Sequence, residues 1–211
     1  QETAQLTLNS WADARALQAY RARLKAAEGR GEVGPISIND MILYATARVL
    51  PEFPVLNAHF LGSSIRTFDG VDLGFAVDTD RGLLVPTIPN AHARSLAQIA
   101  GLARELGARA RDGQAGPDDL APATFTVTNL GALGIESFTP VLNPPQVGIL
   151  GVGAIALKAV ADGGAPDGVA QIPHISLSLT INHQAVDGAP GARFLRRLSQ
   201  ALSSFDVLLA G

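Results

Sequence analysis

Cysteine is absent from the 211 residues. That removes disulfides, thiolate zinc sites, iron–sulfur clusters and a cysteine nucleophile together. If this protein handles thioesters, their sulfur must come from the substrates. Lysine occurs only at Lys25 and Lys158, which leaves little room for Schiff-base chemistry. Charged residues make up 17% of the chain, against roughly 25% in an average soluble protein. With 47% hydrophobic residues, that balance excludes disorder over most of the length. No apolar run reaches about 18 residues, so no membrane-spanning helix is expected. No basic segment followed by an apolar one opens the chain, so no secretory signal is visible. A net charge of -3 argues against a nucleic-acid partner, whose binding modules are usually strongly basic. The sole methionine is Met41, so a chain opening at Gln1 is expected to be a processed product or part of a longer one. The length fits a single domain over residues 1–211. Scarce charge among abundant Ala, Leu and Val suggests surface buried against further copies, although compact packing alone would give the same composition.

Strand and helix patterns alternate along the chain. Thr3 to Leu8 suits a half-buried strand. Ser10 with Asp13 resembles a capping box, opening a helix from Trp11 to about Ala27. Glu28 to Pro35, including Glu32 and Val33, is a breaker. Ser37 with Asp40 caps a second, mostly apolar helix through about Leu50, and Ser95 with Gln98 caps a third through about Arg111. Between them lie short strands at 58–61 and 65–68, and a hairpin over Val71–Ile88 that turns at Asp78–Gly82. Thr124–Thr128, Val147–Val152 and His174–Ile181 read as strands, and Gly191 to about Ser203 as a last amphipathic helix. Interleaved elements with a hairpin and no regular βαβ rhythm predict an α/β (α+β) fold. Its mixed sheet would carry helices packed on one face.

Four histidines are present: His59, His92, His174 and His183. The first three sit at strand ends or turns with no acidic or hydroxyl pattern nearby, so packing or surface roles are expected. His183 lies just past an alternating strand, with Asp187 four residues on and Gly188 next. An imidazole held there can exchange a proton near neutral pH, its unperturbed pKa being about 6.5. The plainer alternative makes Asp187 a turn cap and His183 a polar strand-end residue. A metal site would need a third ligand, and none lies near in sequence. In Thr124–Gly131 the threonine hydroxyls share one face of a strand, where one could donate to a developing oxyanion. Strand threonines are also common simply because they are β-branched. Neither a Gly-x-Ser-x-Gly elbow nor a Gly-x-x-x-x-Gly-Lys-[Ser/Thr] loop occurs, which disfavours a serine hydrolase and a nucleotide triphosphatase.

The stretch His183-Gln184-Ala185-Val186-Asp187-Gly188 resembles the His-x-x-x-Asp-Gly signature. That signature is shared by the acyltransferase components of 2-oxo-acid dehydrogenase complexes and by chloramphenicol acetyltransferase. Ser37-Ile38-Asn39-Asp40, Gly74-Phe75-Ala76-Val77-Asp78-Thr79, Thr124 to Gly134, Asn143-Pro144-Pro145-Gln146 and Ile149-Leu150-Gly151-Val152-Gly153 are similar to the dehydrogenase acyltransferases in order and spacing. The resemblance covers nearly the whole chain. It implies a chloramphenicol-acetyltransferase-like two-layer sandwich that forms homotrimers, assembled into larger cubic or dodecahedral cores.

The implied reaction moves an acyl group from dihydrolipoamide to coenzyme A, both as substrates, with no metal. The implied roles are His183 as general base for the thiol, Thr128 as oxyanion donor, and Asp187 as the motif aspartate that mainly holds the site in shape. The implied partners are a 2-oxo-acid decarboxylase and dihydrolipoamide dehydrogenase, reached through lipoyl and subunit-binding domains that this chain lacks. The implied location is bacterial cytoplasm, preferred over the mitochondrial matrix. Members often carry Asp-His-Arg where this chain has Asn182-His183-Gln184, and serine where it has Thr128. Threonine keeps the hydroxyl. An inactive oligomeric scaffold and a stand-alone acetyltransferase are the alternative readings.

Overall fold

The computed structural model describes residues 3–31 and 34–210, so Gln1, Glu32 and Val33 lie outside the described residues. In chain order the elements begin with β1 (Gln5–Asp13), α1 (Arg15–Gly29), α2 (Ile38–Val49), β2 (Ala58–Phe60) and β3 (Ile65–Thr67). Then come β4 (Leu73–Phe75), β5 (Val77–Thr79), β6 (Gly82–Leu84), β7 (Thr87–Ile88) and α3 (Leu96–Arg111). The chain closes with β8 (Phe125–Asn129), β9 (Gly148–Ala161), β10 (Val169–Asn182), α4 (Gly188–Ser203) and α5 (Phe205–Ala210). Six strands form one sheet in the order β1-β10-β9-β8-β4-β7. β8 runs parallel to both β9 and β4, and the other pairings are antiparallel. The sheet is therefore mixed, as the sequence predicts.

Alternation along β10 explains both faces of the sheet. Ile175, Leu177, Leu179 and Ile181 join one hydrophobic cluster with Phe194, Leu195 and Leu198 of α4 and the apolar side of α2. At Gly191 an added Cβ would meet Leu8, Leu179 and Ile181, so α4 packs directly against this face. The opposite face carries hydroxyls and amides that bond across strands. Thr7 pairs with Thr180 at 2.7 Å, and Ser178 donates to Asn9 Oδ1 at 2.7 Å. Thr180 and Ser178 are buried yet satisfied, which is what makes polar residues tolerable there.

Two capping boxes form as predicted. Ser37 Oγ accepts from the Asp40 amide, and Ser95 Oγ from the Gln98 amide, each with the reciprocal side-chain bond. The expected box at Ser10 and Asp13 does not form. Both residues lie in β1, which extends to Asp13 because it pairs with β10 from Gln5↔Asn182 to Asp13↔His174. Trp11 is thus a strand residue, and the helix starts at Arg15 without a side-chain cap. Pairing across 160 or more residues overrides a local motif here. α4 starts at Gly188, earlier than predicted, because Pro190 sits in its first turn where no amide donor is needed. The Val71–Ile88 hairpin is present but divided. β5 pairs with β6 as a separate ribbon, while β4 pairs with β7 in the main sheet.

A strap at residues 131–141 crosses β9 on glycines. A Cβ built at Gly153 would fall 2.1 Å from the Glu136 carbonyl oxygen, and one at Gly131 2.5 Å from that of Gly153. The β9–β10 register shifts between Ile175 and Leu177, next to this crossing. Such an irregularity is typical where a strand bends to admit another segment.

Candidate active site

The four histidines separate by their hydrogen bonds. His59 Nε2 donates to the Ala123 carbonyl at 2.8 Å, and its ring stacks edgewise on Phe68. His92 Nδ1 accepts from the Val71 amide at 3.1 Å, and His174 Nδ1 donates to the Ile172 carbonyl at 2.9 Å. These three rings are structural, as the sequence suggests. The His183 ring makes no hydrogen bond among the described residues, and its side chain is 45% exposed. Its backbone, in contrast, is pinned. The His183 amide donates to the Ala4 carbonyl at 2.7 Å. Asn182, fully buried, accepts the Gln184 amide on Oδ1, and its carbonyl accepts from Ala185 and Val186. The β10–α4 turn thus presents a free imidazole on a fixed backbone.

Asp187 comes back toward that imidazole, as the four-residue spacing suggests. Its Oδ1 stands 3.9 Å from His183 Nδ1, beyond hydrogen-bond reach. The carboxylate is 87% exposed and caps nothing, although Asp187 is the N-cap residue of α4.

The threonine strand resolves in the same way. Thr126 and Thr128 face the same side of the sheet, opposite the helices. Thr126 donates to the buried Gln146 side chain at 2.7 Å, so its hydroxyl is occupied. The Thr128 hydroxyl has no hydrogen-bond partner among the described residues. It opens into a cavity of about 510 Å³ walled by Leu83, Val85, Phe138, Val141 and Ile149. Asn129, the next residue, points to the helical face. There it lines a second cavity, of about 460 Å³, with Arg21, Ile38, Asn39 and Ala132. Arg21, Ser37 and Asn39 also line an adjoining polar pocket of about 520 Å³ that holds Arg104 and Arg111 beside Asp40 and Asp78. The end of β8 therefore stands between hollows on opposite faces of the sheet.

His183 and Thr128 do not meet within the chain. β8 is parallel to β9 and β10 is antiparallel to it, so the two strands end running in opposite directions. Thr128 is level with Gly151 and Ser178, and Asn182 lies about 13 Å further along the strands at ~3.3 Å per residue. Asn39, Asn129 and Gln146, which fasten the end of β8, received no role from sequence. Their bonds join positions 20 to 90 residues apart, and no local pattern announces them. Among the described residues, no group of three or more His, Asp or Glu side chains could hold a metal ion.

Comparison with known proteins agrees with this architecture. The family profile described as 2-oxoacid dehydrogenases acyltransferase (catalytic domain) matches residues 1–210. The acetyltransferase component of the Bacillus subtilis acetoin cleaving system is 38% identical over 98% of this chain and 51% of its own length. The mitochondrial pyruvate dehydrogenase acetyltransferase of Schizosaccharomyces pombe is 39% identical over 87% of this chain and 38% of its own length. The chain thus spans about half or less of these relatives. Among solved structures, Azotobacter vinelandii dihydrolipoamide acetyltransferase superposes with a TM-score of 0.91 at 35% identity, covering 98% of this chain and 84% of that one. A cubic core of the pyruvate dehydrogenase multienzyme complex also gives 0.91, at 36% identity and with the same coverage. Chloramphenicol acetyltransferase shares the fold, with a TM-score of 0.58 at 18% identity over 95% of this chain and 89% of that one. The chain belongs to the 2-oxoacid dehydrogenase acyltransferase catalytic-domain family.

Proposed function

We propose that this chain transfers an acyl group between dihydrolipoamide and coenzyme A, in a site shared between two copies of itself. One observation carries the reading. The single uncommitted imidazole and the uncommitted hydroxyl of the threonine face end strands that run in opposite directions, about 13 Å or more apart along the sheet. That separation supports the shared site that the family resemblance implies, with His183 of one copy facing Thr128 of the next. Such contacts can close into a ring, and a ring of three is the order that the family resemblance implies and that a cubic core, as named for a structural relative, accommodates.

The chemistry follows from the groups. A neutral imidazole nitrogen of His183 takes the thiol proton as the sulfur attacks the thioester carbonyl carbon. The new carbon–sulfur bond makes a tetrahedral oxyanion, and the Thr128 hydroxyl donates to it. Collapse breaks the other carbon–sulfur bond, and the departing thiolate takes the proton back from the imidazolium. No protein sulfur takes part, which accords with a chain without cysteine. The two cavities at β8 suit two thiol substrates approaching from opposite faces. The arginines Arg21, Arg104 and Arg111 favour the helical side for the phosphorylated one, coenzyme A. The holding role that the resemblance implies for Asp187 has no hydrogen bond behind it among the described residues, since the carboxylate caps nothing and stands 3.9 Å from His183 Nδ1. The structural study of the Azotobacter enzyme names a serine, a histidine and, four positions after it, an asparagine in its catalytic mechanism. His183 and Asp187 keep that spacing, with a carboxylate in the last place. Decarboxylase and dihydrolipoamide dehydrogenase would be engaged through segments outside this chain, in cytoplasm or matrix.

The test is a mixed assembly of His183→Ala and Thr128→Ala chains, its composition verified by mass. A shared site predicts partial recovery of transfer, because some interfaces pair an intact imidazole with an intact hydroxyl. Mixed assemblies no more active than either parent would place the site within one chain and refute the arrangement.

A further inference from the structure

An oxyanion donor works only if its hydroxyl is held to within a fraction of an ångström of where the charge develops. Thr128 lies one residue from the end of β8, where strands ordinarily fray. The backbone supplies part of the restraint, through the Thr128↔Gly151 and Asn129↔Val152 pairings and a Leu130 amide bond to the Val152 carbonyl at 3.0 Å. Side chains supply the rest. Asn129 Oδ1 accepts the Gly131 amide at 2.8 Å, and Asn129 Nδ2 donates to Asn39 Oδ1 at 2.8 Å.

This network has a fixed polarity. A backbone N–H can only donate, so the Asn129 atom facing Gly131 must be its oxygen. The other end of that amide must then be the nitrogen, and the Asn39 atom that receives it must be an oxygen. Asn39 sits in the first turn of α2, the helix with the Ser37–Asp40 capping box. The body of α2, from Met41 to Ala47, is buried without a break. The amide pair therefore joins the strand end to a rigid core helix.

We propose that the Asn39–Asn129 amide pair is a positioning clamp for the Thr128 hydroxyl, transmitting the rigidity of α2 to the oxyanion donor. The proposal rests on the acyl-transfer reading above. Neither asparagine acts on the reacting atoms. The pair occupies the helical face of the sheet, while the hydroxyl occupies the other. It acts through the one peptide unit between Asn129 and Thr128.

The experiment measures steady-state transfer between acetyl-coenzyme A and dihydrolipoamide in assembled protein, with assembly checked by light scattering and folding by thermal unfolding. Asn129→Ala and the near-isosteric Asn39→Leu should each lower kcat about 10- to 100-fold, with KM little changed, since a misplacement of about 1 Å can cost 10² in rate. Asn39→Asp keeps the accepting oxygen and should recover most of what Asn39→Leu loses. In a Thr128→Ala background, Asn129→Ala should lower kcat no further, because there is no hydroxyl left to position. Should Asn129→Ala fail to fold, Asn39→Leu against Asn39→Asp carries the test. Unchanged kcat in both single variants, or a full additional loss in the Thr128→Ala background, would overturn the clamp. If Thr128→Ala itself leaves kcat intact, the oxyanion reading fails first and takes the clamp with it. If only the asparagine variants are silent, the clamp alone falls.

Discussion

The C-terminal ends of β8 and β10 are built differently. At the β8 end, side chains fasten the backbone. Thr126 is bonded to Gln146 and Asn129 to Asn39, and the strap crosses β9 on Gly153. At the β10 end the backbone alone is fastened, by Ala4 and by the Asn182 turn, while His183 and Asp187 project with 45% and 87% of their side-chain surface exposed. The first end is complete in one chain: a hydroxyl, a cavity and the framework that holds them. The second is half a site, an imidazole with fixed attachment and few neighbours. A donor that stabilises charge must be preorganised, whereas a base that shuttles a proton needs reach and a partner. The difference in construction matches the tasks proposed for the two strand ends.

The comparison is broken most directly at the exposed end. His183→Ala should lower the transfer rate about 10²- to 10⁴-fold, the usual worth of a positioned general base. Thermal unfolding should barely move, because the ring makes no hydrogen bond among the described residues and nearly half its surface is free. Asp187→Ala should do much less to the rate, since a 3.9 Å contact between exposed groups contributes little. A drop in Tm for His183→Ala with transfer intact would make His183 a packing residue and leave the β10 end without a function.

At the fastened end, Thr128→Ala should lower kcat about 10²- to 10³-fold with KM nearly constant, since an oxyanion donor acts in the transition state. Thr128→Ser keeps the hydroxyl and should stay close to the parent. The comparison sharpens if Thr126→Ala behaves in the opposite manner. That variant strips the buried Gln146 of its donor, so it should destabilise by about 1–3 kcal/mol in denaturant titration. Loss of kcat from Thr126→Ala in a protein of unchanged stability would reverse the assignment of the two hydroxyls.

How much of this was legible in the sequence follows the same division. Most signals confined to a few neighbouring residues read correctly: two of the three capping boxes, the β10 alternation, and His183 as the histidine unlike the others. Signals that depend on distant partners did not. Ser10 and Asp13 looked like a cap because nothing local reports that β10 would claim them as a strand. β9 was read only as far as Val152, yet it runs to Ala161, since its outer half is held by β10 rather than by its own apolar pattern. Thr126 and Thr128 are indistinguishable in sequence. Only Gln146, 20 residues away, decides which hydroxyl is spent. The proposed site as a whole was reached by resemblance, and the sheet order adds that its two candidate groups end strands running in opposite directions.

The smallest effect tests whether the fastened end is held from α2. Ser37 caps α2 two residues before Asn39, its Oγ accepting the Asp40 amide at 3.1 Å. Replacing an N-cap serine by alanine typically costs about 1 kcal/mol. Ser37→Ala should therefore lower stability by about that amount, a change visible as a shift of the denaturant midpoint at constant slope. Its distribution matters more than its size. The first turn of α2 should fray, and hydrogen exchange should speed up at the Asp40 and Met41 amides and, through Asn39, at the Gly131 amide bonded to Asn129. The Ala185 and Val186 amides in the turn beside His183 bond to Asn182, which has no link to α2's first turn, so their exchange should follow only the global change. Equal acceleration at both strand ends would mean that one cooperative unit holds them. The contrast between a side-chain-fastened and a backbone-fastened end would then have no energetic counterpart.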